Sequence, residues 1–590
     1  MFFKGILFLL TFCWNSKKSY ILFMIITQFV DATLPLVLVV LPKLLIDELM
    51  NQQRIEYLIM FLGGAGIVLL IGNLLSNFLH TQAFILKGDI FVDFRIMLSE
   101  KLAKADYESL ENPEFLNTKE RAYKFLYGDG QGFASVLDNF FNIISKILNF
   151  IGVIFILSTL NILVVILFIF IVLINSFVDA RYKKKNVKLD LEKAPYERKI
   201  FYFSDILDNF QYGKEMRIGN LKDWIMGKYK NHINITQEFY KKSIKNNRKA
   251  LFFSSLVQFL QQTASYVYLI VNVVNNQIGL GDFTMYFNSI NLFNSSMQQV
   301  MNSIIEISRY AQYYEAVEKY MNIPTTLREG KNQTLMDSIS YNIKFENVCF
   351  KYAGQESYAL KNINLEIKSN EKIALVGENG AGKTTLVKLL IRLYNPTKGR
   401  ITINGKDIRD IDYDQYMSLF SVVFQDYKLF SFSIKENIEL SNNQPNNDID
   451  IANVLEKSGI KTKIDSLDKG IYTSIYKNFD QTGFEPSGGE GQKIALARAI
   501  YKDAFFVVLD EPTAALDPRA ESEMFRKFNE LVENKTAVYI THRLVSVAFC
   551  DKIIVLNKGE IIESGDHGKL IDNNNLYAEL YNMQAEYYER

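Results

Sequence analysis

Apolar positions divide this chain into two unlike parts. Up to about residue 310 they form long, nearly unbroken runs; beyond it the composition is that of a soluble domain. A bilayer-spanning helix needs about 20 mostly apolar residues. Six segments meet that length, at 20–45, 57–80, 136–160, 161–178, 251–274 and 278–303. The third and fourth are nearly fused, with room only for a tight turn around Ser158 to Asn161. The sixth is interrupted by Asn288, Asn291, Asn294, Gln298, Gln299 and Asn302. A polar helix at membrane depth has to face protein or a water-filled cavity, so this segment reads as one lining a pathway.

Residues 1–14 are apolar apart from Lys4, and Lys17 and Lys18 follow. No small-residue cleavage site of a signal peptide comes after them, and the pattern fits an amphipathic helix at the membrane surface. Lys and Arg are abundant before the first span and in 81–135 and 179–250, and absent from the short links after spans three and five. Basic loops stay inside, which predicts both termini in the cytoplasm. The two long basic loops read largely as helix, so the spans should continue well beyond the bilayer. Their tips, Tyr107-Glu-Ser-Leu-Glu-Asn-Pro113 and Tyr212-Gly-Lys-Glu-Met-Arg217, are expected to be contact surfaces.

Averages conceal this division. The chain has 590 residues, of which 48% are hydrophobic, and its net charge is only +1. Such a near-neutral balance gives no case for nucleic-acid binding. Cys13, Cys349 and Cys550 form no metal-binding spacing and no obvious disulfide set.

The chemistry is concentrated in the second part. Gly377-Glu-Asn-Gly-Ala-Gly-Lys-Thr-Thr385 fits the phosphate-loop pattern G-x-x-x-x-G-K-[ST], between a strand-like run at 372–376 and a helix start at Leu386. Gly377, Gly380 and Gly382 let backbone N–H groups, with those of Asn379, Thr384 and Thr385, turn toward a triphosphate at a helix N-terminus. Lys383 is placed to reach the β- and γ-phosphates, and the Thr384 hydroxyl to ligate Mg2+. A second apolar run, 505–509, ends in Asp510 and Glu511. A buried strand delivers such carboxylates to the edge where α/β sheets bind ligands. Asp510 is expected to hold Mg2+ through water, and Glu511 to orient the water that attacks ATP.

With these elements in this order, the whole chain resembles the ATP-binding cassette (ABC) exporters in their half-transporter form. The resemblance implies an all-α polytopic membrane domain of six transmembrane helices (1–320), a linker (321–340) and an α/β P-loop NTPase, the ABC ATPase domain (341–590). Tyr352 is similar to the family's adenine-stacking aromatic, and Gln425 to its magnesium-sensing glutamine. Ser487-Gly488-Gly489-Glu490 resembles the signature motif, Ala514-Ala-Leu-Asp517 the D-loop, and His542 the switch histidine. In the family the signature binds the γ-phosphate held by the opposite nucleotide domain. The resemblance therefore implies a dimer around two ATPs, with this chain pairing with a second copy of itself or a related half-transporter. It also implies that the two loop tips are coupling helices and that transport runs by alternating access. Catalysis would fall to Glu511, His542, Lys383 and Gln425.

Two positions depart from the family pattern: Pro486 where Leu is usual and Glu490 where Gln is usual. Proline is tolerated in a helix's first turn. The glutamate places a negative charge near a polyphosphate unless it points away. For cargo, the amides and serines of the sixth span suit peptides or amphipathic molecules. Asp31, where a charge costs about 2.5–3.5 kcal/mol at the centre of a span, either attracts cationic cargo or is a hydrogen-bonded structural group. A lipid or lipid-linked sugar flippase would need basic residues along the membrane path, where Lys146 is the plain candidate. A regulatory or weakly active half of a heterodimer is the third alternative. Usage rich in Asn, Ile and Lys fits an AT-rich bacterial genome, hence a plasma-membrane protein in contact with lipid.

Overall fold

The computed structural model describes residues 2–50, 53–127, 132–160, 162–209, 212–328, 333–334, 340–440, 448–511, 532, 535–541 and 543–588. It divides into two compact units: residues 1–103 with 114–323, and residues 104–113 with 324–590.

The first unit is helical. A short helix α1 (Phe2–Ser16) precedes α2 (Lys18–Met50) and α3 (Ile55–Ala103). After α4 (Tyr107–Glu111), which belongs to the second unit, come α5 (Pro113–Tyr127), α6 (Gly132–Ser158), α7 (Ile162–Asp208), α8 (Gly213–Ile218), α9 (Lys222–Val274) and α10 (Leu280–Met321). Among the described residues α2, α3 and α6 are long and apolar enough to cross a bilayer. The helices α7, α9 and α10 run for 47, 53 and 42 residues with a more polar composition. At 1.5 Å per residue, helices of this length continue far past a hydrocarbon core of about 30 Å. The break between α6 and α7 falls where the tight turn was expected.

The long helices pack as pairs: α2 with α3, α6 with α10, and α7 with α9. Val39, Val153, Leu157, Leu269, Tyr286, Ile290 and Phe293 form a common core, while Phe84, Phe155 and Phe252 are more than two-thirds exposed. Large apolar side chains facing outward suit lipid rather than water. Helix α1 buries Leu9 and Cys13 and leaves Leu7 and Trp14 exposed. Phe12 packs edge-on against Phe94 of α3.

Several polar side chains of this unit pair between helices. The Asp31 carboxylate accepts a hydrogen bond from Ser76 Oγ (2.6 Å) and lies 3.0 Å from His80 Nε2, both on the neighbouring α3. It is therefore a hydrogen-bonded link within the α2–α3 pair. In α10, the Asn294 carboxamide oxygen accepts from Gln261 of α9 (3.0 Å) and that of Asn291 from Gln262 (3.2 Å).

The second unit is built on two sheets. One is antiparallel, with β1 (Ile343–Phe350) between β2 (Leu360–Ile367) and β4 (Lys398–Ile403), and β5 (Lys406–Asp407) at the edge. The other contains β3 (Lys372–Val376), β6 (Phe420–Val423), β7 (Phe506–Asp510), β8 (Thr536–Ile540), β9 (Lys552–Asn557) and β10 (Glu560–Gly565). Its order is β10-β9-β3-β8-β7-β6, parallel except for β10. The helix α11 (Lys383–Leu390) follows β3 and packs between the sheets, where Leu386, Val387, Leu389 and Leu390 join one core with residues from both.

Arg392 closes this core from below. It is almost fully buried, and its guanidinium donates to the carbonyls of Ile411 (2.8 Å) and Leu327 (2.9 Å), tying the segment that enters the unit to the sheet. Replacing it by Met leaves those buried acceptors unpaired. Arg392→Met is expected to cost about 2–4 kcal/mol, read as an earlier thermal unfolding transition of the second unit.

Candidate nucleotide site

The site lies at the carboxyl edge of the parallel sheet. Leu375 of β3 pairs with Ile540 of β8, and Ile540 pairs with Asp510 of β7, so the ends of β3 and β7 are level. The loop after β3 and the acids closing β7 consequently open onto the same crevice. That crevice is where open α/β sheets bind ligands.

Gly377 to Gly382 form a closed loop around the Lys383 side chain, whose ammonium donates to the carbonyls of Gly377 (2.8 Å) and Glu378 (3.0 Å). Burial pulls the Lys383 ammonium below its ordinary range, and the carboxylates of Glu511 and Asp510 oppose that shift. Two of the glycines are required. At Gly377 (φ +146°) a Cβ would sit 2.2 Å from the Leu556 carbonyl oxygen, and at Gly382 (φ +107°) one would sit 2.8 Å from Leu360 Cδ2. Gly380 adopts φ +80° with open space beside it. Asn379 lies in the same turn, and Thr384 and Thr385 begin α11.

Asp510 is buried at the end of its strand, and burial together with the neighbouring Glu511 pushes its carboxyl up to about 6. Glu511 adopts φ +46°, its N–H donates to the Ile540 carbonyl (2.9 Å), and its carboxylate accepts from Gln425 Nε2 (2.8 Å). The three residues expected at magnesium offer a hydroxyl (Thr384), a carboxylate (Asp510) and a carboxamide oxygen (Gln425). This is the hard-oxygen set Mg2+ prefers, and the charge crowded at Asp510 and Glu511 is what a dication relieves. The residues present fit the ion. Asp517 and His542 lie outside the described residues.

Tyr352 sits beside this loop, its hydroxyl 3.0 Å from Thr385 Oγ1 and its ring edge-on to Phe350 and Tyr394. Helix α4, one of the two expected contact tips, docks here. Tyr107 meets Tyr394 edge-on, and Glu111 accepts the Tyr394 hydroxyl and pairs with Lys388 of α11 (3.5 Å). Lys388 lies over the rings of Tyr107, Tyr352 and Tyr394. Asp106 accepts from Thr326 Oγ1 (2.8 Å). The other tip, α8, buries none of its residues and leaves Ile218 exposed. Lys388 and Tyr394 were not singled out in the sequence, because neither stands in a local motif.

The signature segment begins α12 (Gly488–Lys502). Ser487 is its N-cap and accepts from the Glu490 N–H (3.4 Å), while the Glu490 carboxylate turns back to the Ser487 N–H (2.8 Å). This reciprocal pair is a capping box. Lys463 lies 3.8 Å from the other carboxylate oxygen. Partial burial works against the ionised form, but the Ser487 N–H and hydroxyl and the positive charges of Lys463 and Lys493 hold the Glu490 carboxyl below its usual range. Its charge is thus spent on the cap. Tyr427, not noted in the sequence, donates to the Gly488 carbonyl (2.7 Å).

A nucleotide-binding unit with these elements, following a bundle of long membrane helices, defines an ABC transporter. This chain carries the family's ATPase domain and is similar over nearly its whole length to exporters in the half-transporter form, with both domains on one chain. Residues 360–514 match the ABC transporter family. The chain is 29% identical over 581 residues to the subtilin transport ATP-binding protein SpaT of Bacillus subtilis, spanning 96% of this chain and 91% of that one. It is 26% identical over 583 residues to the nisin transport ATP-binding protein NisT of Lactococcus lactis, spanning 97% and 94%. A bacterial Atm1-family ABC exporter structure with ATP bound shares the fold, with a TM-score of 0.84 at 20% identity over 96% of this chain and 98% of that one.

Two substitutions probe the site. Gly382→Ala should reduce binding of a fluorescent ATP analogue at least ten-fold, since φ +107° strains any residue with a Cβ and the loop would have to shift. Glu490→Gln preserves the capping box and should leave ATP turnover within about two-fold, whereas Glu490→Ala loses a cap worth about 1 kcal/mol and should lower it.

Proposed function

We propose that this exporter moves peptides out of the cytoplasm as a dimer, powered by hydrolysis of ATP with Mg2+. The observation that carries the ATPase reading is the convergence of the phosphate loop, Asp510, Glu511 and Gln425 on one sheet edge. Lys383 and the loop N–H groups bind and orient the triphosphate, with Tyr352 beside the adenine. Glu511, held by Gln425, orients the attacking water and takes its proton. Thr384, Asp510 and Gln425 would hold Mg2+, which neutralises charge on the phosphates. Catalysis of this kind is mostly positioning and electrostatics.

The dimer rests on the signature. Ser487, Gly488 and Gly489 present N–H groups at a helix start, a site for the γ-phosphate held by the partner's loop. Exposed α8 fits the same arrangement, as a tip meant for a second nucleotide domain. Asp517 and His542 keep their family-derived roles in this proposal. The peptide assignment is supported by similarity along nearly the whole chain to proteins named for transport of subtilin and nisin. The basic loops between spans support cytoplasmic termini and ATPase domain, in a plasma membrane.

The test is ATP turnover by the purified chain in lipid, beside Glu511→Gln. Wild type is expected to hydrolyse ATP alone, and the variant to lose about a hundred-fold or more of that rate while still binding ATP. A well-folded wild-type dimer that binds ATP but does not turn it over would overturn the self-sufficient homodimer in favour of a partner half-transporter.

A further inference from the structure

The segment that follows Gln425 is fastened to the helix that carries the signature. Gln425 itself donates to the Glu511 carboxylate (2.8 Å), within this chain's own nucleotide site. Two residues on, the Tyr427 hydroxyl donates to the carbonyl of Gly488 (2.7 Å), in the first turn of α12. The carbonyl of Lys428 accepts from Arg498 Nη1 (3.2 Å), about three turns further along the same helix. Arg498 also donates through Nε to the Asn437 carbonyl (2.8 Å) and lies over the ring of Phe430. The backbone of Tyr427 is therefore held on both sides, which gives its hydroxyl a fixed origin.

The contact at Gly488 is built into the fold. Gly491 faces it: a Cβ there would sit 2.7 Å from the Tyr427 hydroxyl oxygen and 3.2 Å from the ring. Glycine at 491 is what lets the hydroxyl reach the turn. The ring packs against two separate buried clusters. One contains Val423 and Leu509 of the parallel sheet, and the other gathers Ile434, Ile451 and Ile494 from three helices.

The acceptor gives this contact a chemical consequence. A peptide bond is planar, so the Gly488 carbonyl and the Gly489 N–H belong to one rigid plate and point opposite ways. Holding the carbonyl fixes the direction of that N–H. Polarising the carbonyl also strengthens the N–H as a donor. N–H groups in the first turn of a helix lack intrahelical acceptors and are the ones that meet an anion. With glycine on both sides, this peptide is the freest of the turn and gains most from an outside hold.

We propose that Tyr427 is a positioning residue for ATP hydrolysis, whose hydroxyl sets the Gly489 N–H toward the γ-phosphate bound by the partner subunit. This rests on the dimer reading above and adds to it a residue outside the signature. The ring supplies the anchorage and the hydroxyl supplies the aim.

The experiment compares Tyr427→Phe with wild type, as the full chain in lipid nanodiscs with ATP and Mg2+. Phenylalanine keeps the ring on both clusters and removes only the hydroxyl. Turnover at saturating ATP is expected to fall about ten-fold. That is less than the roughly 100- to 1,000-fold loss on deleting a donor outright, because the N–H remains and only its aim is lost. Affinity for a fluorescent ATP analogue, held by the chain's own phosphate loop, should stay within about two-fold. The thermal unfolding transition should stay within about 3 °C. Gly491→Ala, whose Cβ displaces the same hydroxyl, should lower turnover by a similar factor, and adding it to Tyr427→Phe should cost little more. Full turnover in Tyr427→Phe would overturn the role. So would a loss matched by weaker analogue binding and an earlier unfolding transition, the pattern of a merely structural tyrosine. Turnover by a wild type confined to one copy per nanodisc would instead overturn the dimer reading, and the role with it.

Discussion

Everything in the nucleotide site depends on the parallel pairing of β8 with both β3 and β7. Parallel strands share a direction, so the loop after β3 and the acids after β7 have to open on one edge. Register makes the arrangement sharper: Leu375, Ile540 and Asp510 are level across three strands. Sliding one strand by a single residue would exchange its two faces and press side chains packed against one layer onto the other. Val508 and Leu509 are fully buried in β7, as is all of β8, so that slip has nowhere to go. Glu511 is then held by two bonds of different kinds. Its backbone N–H continues the sheet to Ile540, and its carboxylate leaves the sheet to meet Gln425. The positive φ at Glu511 is the turn between those two demands.

The membrane unit answers to the opposite constraint. There the outer surface can be apolar, and a buried polar side chain gains from a partner on its own or a neighbouring helix. Asp31 finds Ser76 and His80, Lys87 finds Asp138 at 2.8 Å, and the amides of α10 find those of α9. These bonds cross between helices, so they fix rotation and depth more strongly than apolar contact does.

Much of this was legible in the sequence because its signals are local. The phosphate loop carries its own glycines, lysine and threonine within nine residues, and β3 was placed by its apolar run alone. Asp510 and Glu511 were found from a run ending in acids. The turn between α6 and α7 was found from the polar break in two apolar stretches. What escaped was long-range. Lys388 and Tyr394 read as an ordinary helix lysine and a core aromatic until α4, some 280 residues earlier in the chain, is seen packed on them. Arg392 reads as a surface arginine, yet it is buried. Glu490 shows the intermediate case. Its identity suggested charge beside a polyphosphate, but its spacing from Ser487 is that of a capping box, and the spacing decides where the carboxylate goes.

Helix α4 shows how a short element gains a fixed position. Five residues are far too few for a helix to persist alone, since nucleation costs more than one turn returns. Asp106, at its N-cap, does not cap it either; its carboxylate is turned to Thr326 and Leu327 instead. The helix thus forgoes local stabilisation and exists because it is docked. Its docking partners reach the phosphate loop by two routes. Tyr394 leads to the ring of Tyr352, whose hydroxyl meets Thr385, and Lys388 lies on the helix that begins at Lys383. Any rearrangement of that helix or of Tyr352 must therefore be met by movement of α4 or by breaking its contacts. Short links join α4 to α3 and α5, so the contacts beside the phosphate loop and the ends of two helices share one stretch of backbone.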